Sequence, residues 1–154
     1  HVQWLAQRQG TALQFPAAHP FNPLGLLRLA VACDAQGLPN RYVCETLFRH
    51  VWQGGADAAD AQRLAALTQT LAPVQDPGSA EVKAQLKAHG DEAIAKQVFG
   101  VPSFAVDGKV FWGLDALPML RDCLEGGTWF ADGEADARWD AVHRHPSGIP
   151  LRGA

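Results

Sequence analysis

A single β-hairpin signal limits what this chain can form. Residues 104–106 read Phe-Ala-Val and residues 109–112 read Lys-Val-Phe-Trp, with Asp107-Gly108 between them. Asp-Gly suits the type I′ turn, in which both central residues need positive φ, so two short antiparallel strands are expected. A hairpin alone is marginal in water and needs further strands or helices on its faces. Only helices are legible around it, which cannot make a complete α/β sheet.

Residues 1–9 read as the tail of a helix ended by Gly10, with Val2, Leu5 and Trp4 toward one face. Residues 11–15 are a short extended candidate, stopped by Pro16 and Pro20. Asn22-Pro23 joins an N-cap to a proline at the first helical position, where no N–H is needed. It predicts a helix over 22–36 with Gly37 just past its end. Residues 41–52 place Val43, Cys44, Leu47, Phe48, Val51 and Trp52 on one wide stripe, as in an amphipathic helix, and Gly54-Gly55 ends it. Either Asp57 or Asp60 opens the next helix, which runs through Leu64, Leu67 and Leu71 to Pro73. Asp76-Pro77 repeats the cap-and-proline start and leads a long helix to about residue 97, weakened at Gly90. After the hairpin, Asp115 is placed to cap a helix through Leu117, Leu120 and Leu124, stopped by Gly126-Gly127. Residues 128–154 show little periodicity and read as a loosely held tail anchored by Trp129, Phe130 and Trp139.

Composition narrows the partners. With 154 residues, 47% hydrophobic and 19% charged, the chain can bury a core without staples. Its 13 basic and 16 acidic side chains leave a net charge of −3, and the basic residues form no run. Phosphate binding needs clustered Lys and Arg, so a small molecule is expected rather than nucleic acid. Cys33, Cys44 and Cys123 are far apart and form no CxxC, so neither a redox dithiol nor a zinc knuckle is readable. They read as buried thiols, and a cytoplasmic location is expected. Neither a signal peptide nor an apolar run of about 18 residues is visible, so no membrane partner is expected.

The stretch with chemical content is 99–109, Phe-Gly-Val-Pro-Ser-Phe-Ala-Val-Asp-Gly-Lys. A proline just before a strand has no N–H for a ladder. With a trans bond, Pro102 merely begins an edge strand. With a cis bond, Val101 turns its own N–H and C=O away from the sheet and can pair with an extended peptide. The local residues leave both open.

Gly-Val-Pro-Ser-Phe at 100–104, the Asp-Gly hairpin and Phe-Trp-Gly-Leu-Asp at 111–115 together resemble the end of DsbA-like thioredoxin folds. More narrowly, they are similar to the 2-hydroxychromene-2-carboxylate isomerase and kappa-class glutathione transferase family. Its pattern is Phe-Gly-Val-Pro-Thr or Ser-Phe, a hairpin, then Trp-Gly-x-Asp-Arg at a helix start. Upstream, Phe-Pro-x-x-x-Pro-Phe-Asn-Pro from residue 15 and Leu-Phe-x-x-Val-Trp from residue 47 resemble parts of that family's helical insertion. The resemblance covers residues 1–127. It implies an α/β, thioredoxin-like fold of the DsbA and kappa type. Residues 1–97 would be the helical insertion and connecting helix, 98–127 the C-terminal ββα part and 128–154 a tail. The N-terminal βαβ unit, at least about 30 residues, is expected to be lacking.

The same resemblance implies a function. Glutathione is the expected cofactor, with a cis bond at Pro102 and Val101 binding the tripeptide through main-chain groups. Trp112, Gly113, Leu114 and Asp115 would receive its γ-glutamyl end, and Ala116 stands where the family usually has Arg. His19, Phe21 and Asn22 fall where the family's pocket takes a small aromatic electrophile; a solvent-facing imidazole and a plain N-cap are the simpler readings of His19 and Asn22. The implied activity is a glutathione-dependent isomerase of aromatic degradation, acting as a homodimer. The family's thiolate-holding serine has no counterpart here, since Ser79, Ser103 and Ser147 do not match it. No catalytic residue is therefore assigned, and this chain alone is expected to bind glutathione poorly and to be inactive. Two other readings are a DsbA-like thiol-disulfide oxidoreductase and a non-catalytic thioredoxin-fold module that dimerises.

Overall fold

The structure, a computed structural model, describes residues 1–131; Trp139 and the rest of the tail lie outside the described residues. The chain divides into two compact units, His1–Ala88 and a second beginning at His89. The first holds α1 (Val2–Arg8), α2 (Leu24–Ala32), α3 (Arg41–Trp52), α4 (Ala61–Leu71) and the first part of α5 (Ala80–Ala95). Its main core joins Leu26 and Leu29 of α2, Val43, Leu47 and Val51 of α3, Ala58, and Leu67 and Leu71 of α4. The three- and four-residue spacing within each helix puts these side chains on one face. The other side of α2 is buried as well: Val31 and Ala32 pack with Val82 of α5, and Leu86 lies against them. A helix apolar on both sides must be covered on both, and α2 is the centre of the unit. The expected α3 stripe is narrower in the fold, with Phe48 62% exposed, and α1 buries no residue.

Side-chain oxygens decide where the helices begin and end. Asn40 Oδ1 accepts the Val43 N–H at 3.0 Å, and Asp60 Oδ1 accepts the Arg63 N–H at 2.9 Å, so Asp60 rather than Asp57 caps α4. Asn40→Ala is expected to remove about 1 kcal/mol, read as a lower urea midpoint at unchanged slope. Asn22 Oδ1 accepts the Leu24 N–H at 3.0 Å, but the first helical bond runs to Pro23 C=O, so Pro23 rather than Asn22 is the N-cap and α2 begins at Leu24. α2 stops at Ala32, short of residue 36, because Asp34 Oδ1 takes the N–H groups of Gln36 and Leu38 at 2.8 and 3.2 Å. That local bonding competes with helix continuation. Asp76 closes a turn on the Gly78 N–H at 2.8 Å, and Ser79 Oγ accepts from Val82 N–H at 3.2 Å, so α5 starts after Ser79 and not at Asp76-Pro77. Residues 11–15 form no strand. Gln14 N–H donates to Trp52 C=O at 2.7 Å, and Gln14 Oε1 accepts from Gly54 N–H at 2.6 Å, which tethers the segment without making a ladder.

The second unit carries the end of α5, β1 (Ser103–Val106), β2 (Lys109–Trp112), α6 (Leu117–Leu124) and α7 (Thr128–Ala131). β1 and β2 are antiparallel, pairing Ser103 with Trp112, Phe104 with Phe111, Ala105 with Val110 and Val106 with Lys109. Asp107 and Gly108 have φ of 47° and 77°, the doubly positive turn expected of Asp-Gly. Phe111, 1% exposed, is buried from β2, and the Phe130 ring lies 6.1 Å from it. Residues 128–131 are therefore helical and anchored rather than loose. Among the described residues the fold has seven α-helices and one two-stranded antiparallel sheet, an α/β arrangement. No helix among them is long and apolar enough to cross a membrane.

Candidate functional site

At the open end of the hairpin the ladder begins with the Ser103–Trp112 pair, and Val101 lies two residues outside it. Val101 is 87% exposed, and among the described residues neither its N–H nor its C=O is hydrogen-bonded. The Val101–Pro102 bond is cis. Pro102 C=O accepts from Gly113 N–H at 2.9 Å, which brings residues 101–102 and 112–113 side by side. Ser103 Oγ donates to Gly100 C=O at 2.7 Å and ties down the preceding loop.

Trp112 forms one wall. Its ring lies 5.0 Å from that of Phe99, and a Cβ on Gly100 would meet Trp112 Nε1 at 2.5 Å. Only glycine lets the indole lie this close. Gly113 then turns the chain with φ 90°, and a Cβ there would collide with Asp115 Oδ1. The Asp115 carboxylate thus folds back over Gly113 toward the end of the hairpin. Leu114–Ala116 is a 3₁₀ turn, and α6 begins only at Leu117, with no side-chain cap. Asp115 is accordingly not the N-cap of α6. Proline at 118 suits the first turn of α6 and needs no capping partner. The Leu114 and Asp115 N–H groups are unpaired among the described residues, and Leu114 and Asp115 are both exposed. Val101, Pro102, Trp112, Gly113, Leu114 and Asp115 thus occupy one neighbourhood. It offers outward main-chain donors and an acceptor, one indole and one carboxylate.

His19 and Asn22 belong to the first unit. The exposed His19 ring stands 5.7 Å from Phe15, 5.6 Å from Trp52 and 6.4 Å from Phe21. A second cis bond, His19–Pro20, lies beside this cluster. The clustering of Phe15 and Trp52 with His19 was not legible in the sequence, because position 52 reads there only as a helix-stripe residue. Asn22 spends its side-chain oxygen on the α2 start.

The remaining candidates for chemistry are structural. All three cysteines are free, and burial pushes the Cys33 thiol above its ordinary value, against thiolate formation. Ser79 caps α5 and Ser103 is held by Gly100, while Ser147 lies outside the described residues. No group of His, Cys, Asp and Glu among the described residues could hold a metal ion.

The family described as DSBA-like thioredoxin domain matches residues 1–125. The chain belongs to that family. The hairpin, the cis proline ahead of it and the helix after it all lie within the matched residues. The same fold is found in a solved structure of a 2-hydroxychromene-2-carboxylate isomerase, with a TM-score of 0.64 and 22% identity. The superposition covers 88% of this chain and 66% of the isomerase chain, and identity this low speaks to fold alone. A search of curated proteins gives no match.

Proposed function

We propose that this DSBA-like domain binds glutathione at the open end of the hairpin. We further propose that it serves a glutathione-dependent isomerase acting on a small aromatic electrophile of the 2-hydroxychromene-2-carboxylate kind. The observation that carries the reading is the pair of unpaired, exposed main-chain groups on Val101, beside the Trp112–Asp115 turn. An extended tripeptide carries backbone donors and acceptors that such a residue can pair with in the manner of an added strand. The γ-glutamyl end of glutathione adds an ammonium and a carboxylate. Asp115 accepts from the ammonium, and the free Leu114 and Asp115 N–H groups donate to the carboxylate, all charge-assisted bonds. Trp112 shields one side of the peptide from water.

Bound glutathione supplies a soft thiol nucleophile suited to reversible addition to a conjugated double bond. The residues of this chain hold and orient it. No thiol-activating residue is assigned among residues 1–131, and this chain alone is proposed to bind weakly without turnover. A cytoplasmic homodimer goes with this reading. A thiol-disulfide oxidoreductase gains no support from cysteines that form no CxxC and include a half-buried Cys33 whose thiol desolvation pushes up, against thiolate formation.

Comparing glutathione with the dipeptide Cys-Gly, which lacks the γ-glutamyl group, tests the site. Loss of the charge-assisted bonds at Leu114 and Asp115 is expected to weaken binding about tenfold or more. Equal affinities in ligand-observed NMR would remove the γ-glutamyl assignment.

A further inference from the structure

The Asp107-Gly108 turn sets a carboxyl beside an amide N–H, and nothing in the fold occupies either. Both residues are exposed, with φ of 47° and 77°. The Asp107 carboxyl has no hydrogen-bond or ion-pair partner among the described residues, and the Gly108 N–H donates to nothing there. No atom lies within 4 Å of where a Cβ on Gly108 would sit, so the turn is uncrowded. The other aspartates among the described residues are held differently. Asp34, Asp57 and Asp60 spend Oδ1 on the N–H groups of Gln36, Ala59 and Arg63. Asp91 and Asp122 lie inside α5 and α6, where the next N–H belongs to the helix. After Asp115, the Ala116 N–H donates to Gly113 C=O at 3.3 Å. Asp76 precedes a proline, which has no N–H to lose.

We infer that Asp107-Gly108 is a self-modification site, at which the turn rearranges to an isoaspartyl linkage and so limits the working life of the hairpin. The Gly108 nitrogen adds to the Asp107 side-chain carboxyl carbon. The amide hydrogen and the carboxyl OH leave together as water, and a five-membered imide closes. Water then adds to either imide carbonyl. Opening at the side-chain carbonyl restores Asp107. Opening at the main-chain carbonyl leaves the chain running through Cβ, with a free carboxylate on Cα. The sum is an isomerisation that needs only water. Glycine at 108 favours it twice: no side chain shields the nitrogen, and the backbone reaches conformations closed to other residues. The product has one more main-chain atom in a two-residue loop whose length sets the register. Val106–Lys109 and the pairs beyond it then lose their fit, including Ser103–Trp112 at the end where Pro102 C=O accepts from Gly113 N–H. A loss of glutathione response on conversion rests on the proposed function, while the chemistry at Asp107 does not.

The test keeps the full chain warm at neutral pH for weeks and then digests it. Electron-transfer fragmentation reads the peptides, because isoaspartate leaves fragments that aspartate does not. Isoaspartate is expected at 107, with none above background at Asp34, Asp91, Asp115 or Asp122. No conversion at 107, or conversion spread evenly over these aspartates, would overturn the inference. Asp132-Gly133 has the same pair but lies outside the described residues. Conversion there with none at 107 would show that the folded turn protects Asp107, and would overturn the inference too. Asp107→Asn suits the same turn and closes the same imide with ammonia leaving. It should convert faster and yield both aspartate and isoaspartate at 107; a variant that stays asparagine would count against the site. The converted fraction, separated by chromatography, should lose amide protection over β1 and β2 by about tenfold or more. Full protection there would overturn the effect on register. A wild type that ignores glutathione from the start yet converts at Asp107 would sink the proposed function and leave this site standing.

Discussion

Phe111→Ala should loosen the hairpin at a cost of about 3–5 kcal/mol. Phe111 is 1% exposed, and with Val82 it is one of the two largest side chains that are fully buried. It is paired with Phe104 across the ladder and faces the Phe130 ring. A two-stranded hairpin has few other sources of stability, since its backbone bonds alone leave it marginal in water. Truncation leaves a cavity that two strands cannot collapse to fill. Amide exchange over β1 and β2 is the appropriate readout. At about 1.4 kcal/mol per factor of ten, protection there should fall by about 100-fold or more. Leu29→Ala in the first unit is the control: Leu29 is 2% exposed in the helical core, and its loss should cost about 2–5 kcal/mol in that unit. Unchanged hairpin protection in Phe111→Ala would show that this ring does not hold the strands.

Asp115→Ala is expected to weaken glutathione binding by about 10–100-fold, the range for losing a charge-assisted bond. Its effect on stability should be small, within about 0.5 kcal/mol, because Asp115 is exposed and caps neither the 3₁₀ turn nor α6. Asp115→Asn keeps an acceptor oxygen in place and removes the charge, so it should fall between the two. Dissociation constants from titration, with melting temperatures alongside, separate a ligand contact from a structural one. A variant that binds as well as wild type removes Asp115 from the site. A variant that melts early points to a structural role.

How much of this was legible before the fold was known depended on whether the deciding signal was local. Asp107-Gly108 allows essentially one turn, and the hairpin follows from it. Residues 41–52 have a clear apolar period and form a helix over those residues. Where two local signals competed, the weaker-looking one won: Ser79 rather than Asp76 starts α5, because Asp76 is engaged with Gly78. The Asp34 carboxylate ended α2 early in a way that hydrophobic period cannot show. Asp115 looked like a cap because it precedes an apolar helix, but the 3₁₀ turn moved the helix start beyond it. The aromatic cluster around His19 was invisible for a different reason. Phe15, His19, Phe21 and Trp52 are brought together only by tertiary packing. Grouping Val101 with Trp112–Asp115 came from the family resemblance, and the strand register is its physical cause.

The most direct measurement is a glutathione titration of ¹⁵N-labelled protein, taken to millimolar ligand and followed amide by amide. The account predicts that the Val101, Leu114 and Asp115 amides move together with one dissociation constant, while those at the far turn, Asp107 and Gly108, stay still. A folded protein whose Val101 amide is unmoved at saturating glutathione, or whose shifts gather elsewhere, would contradict it.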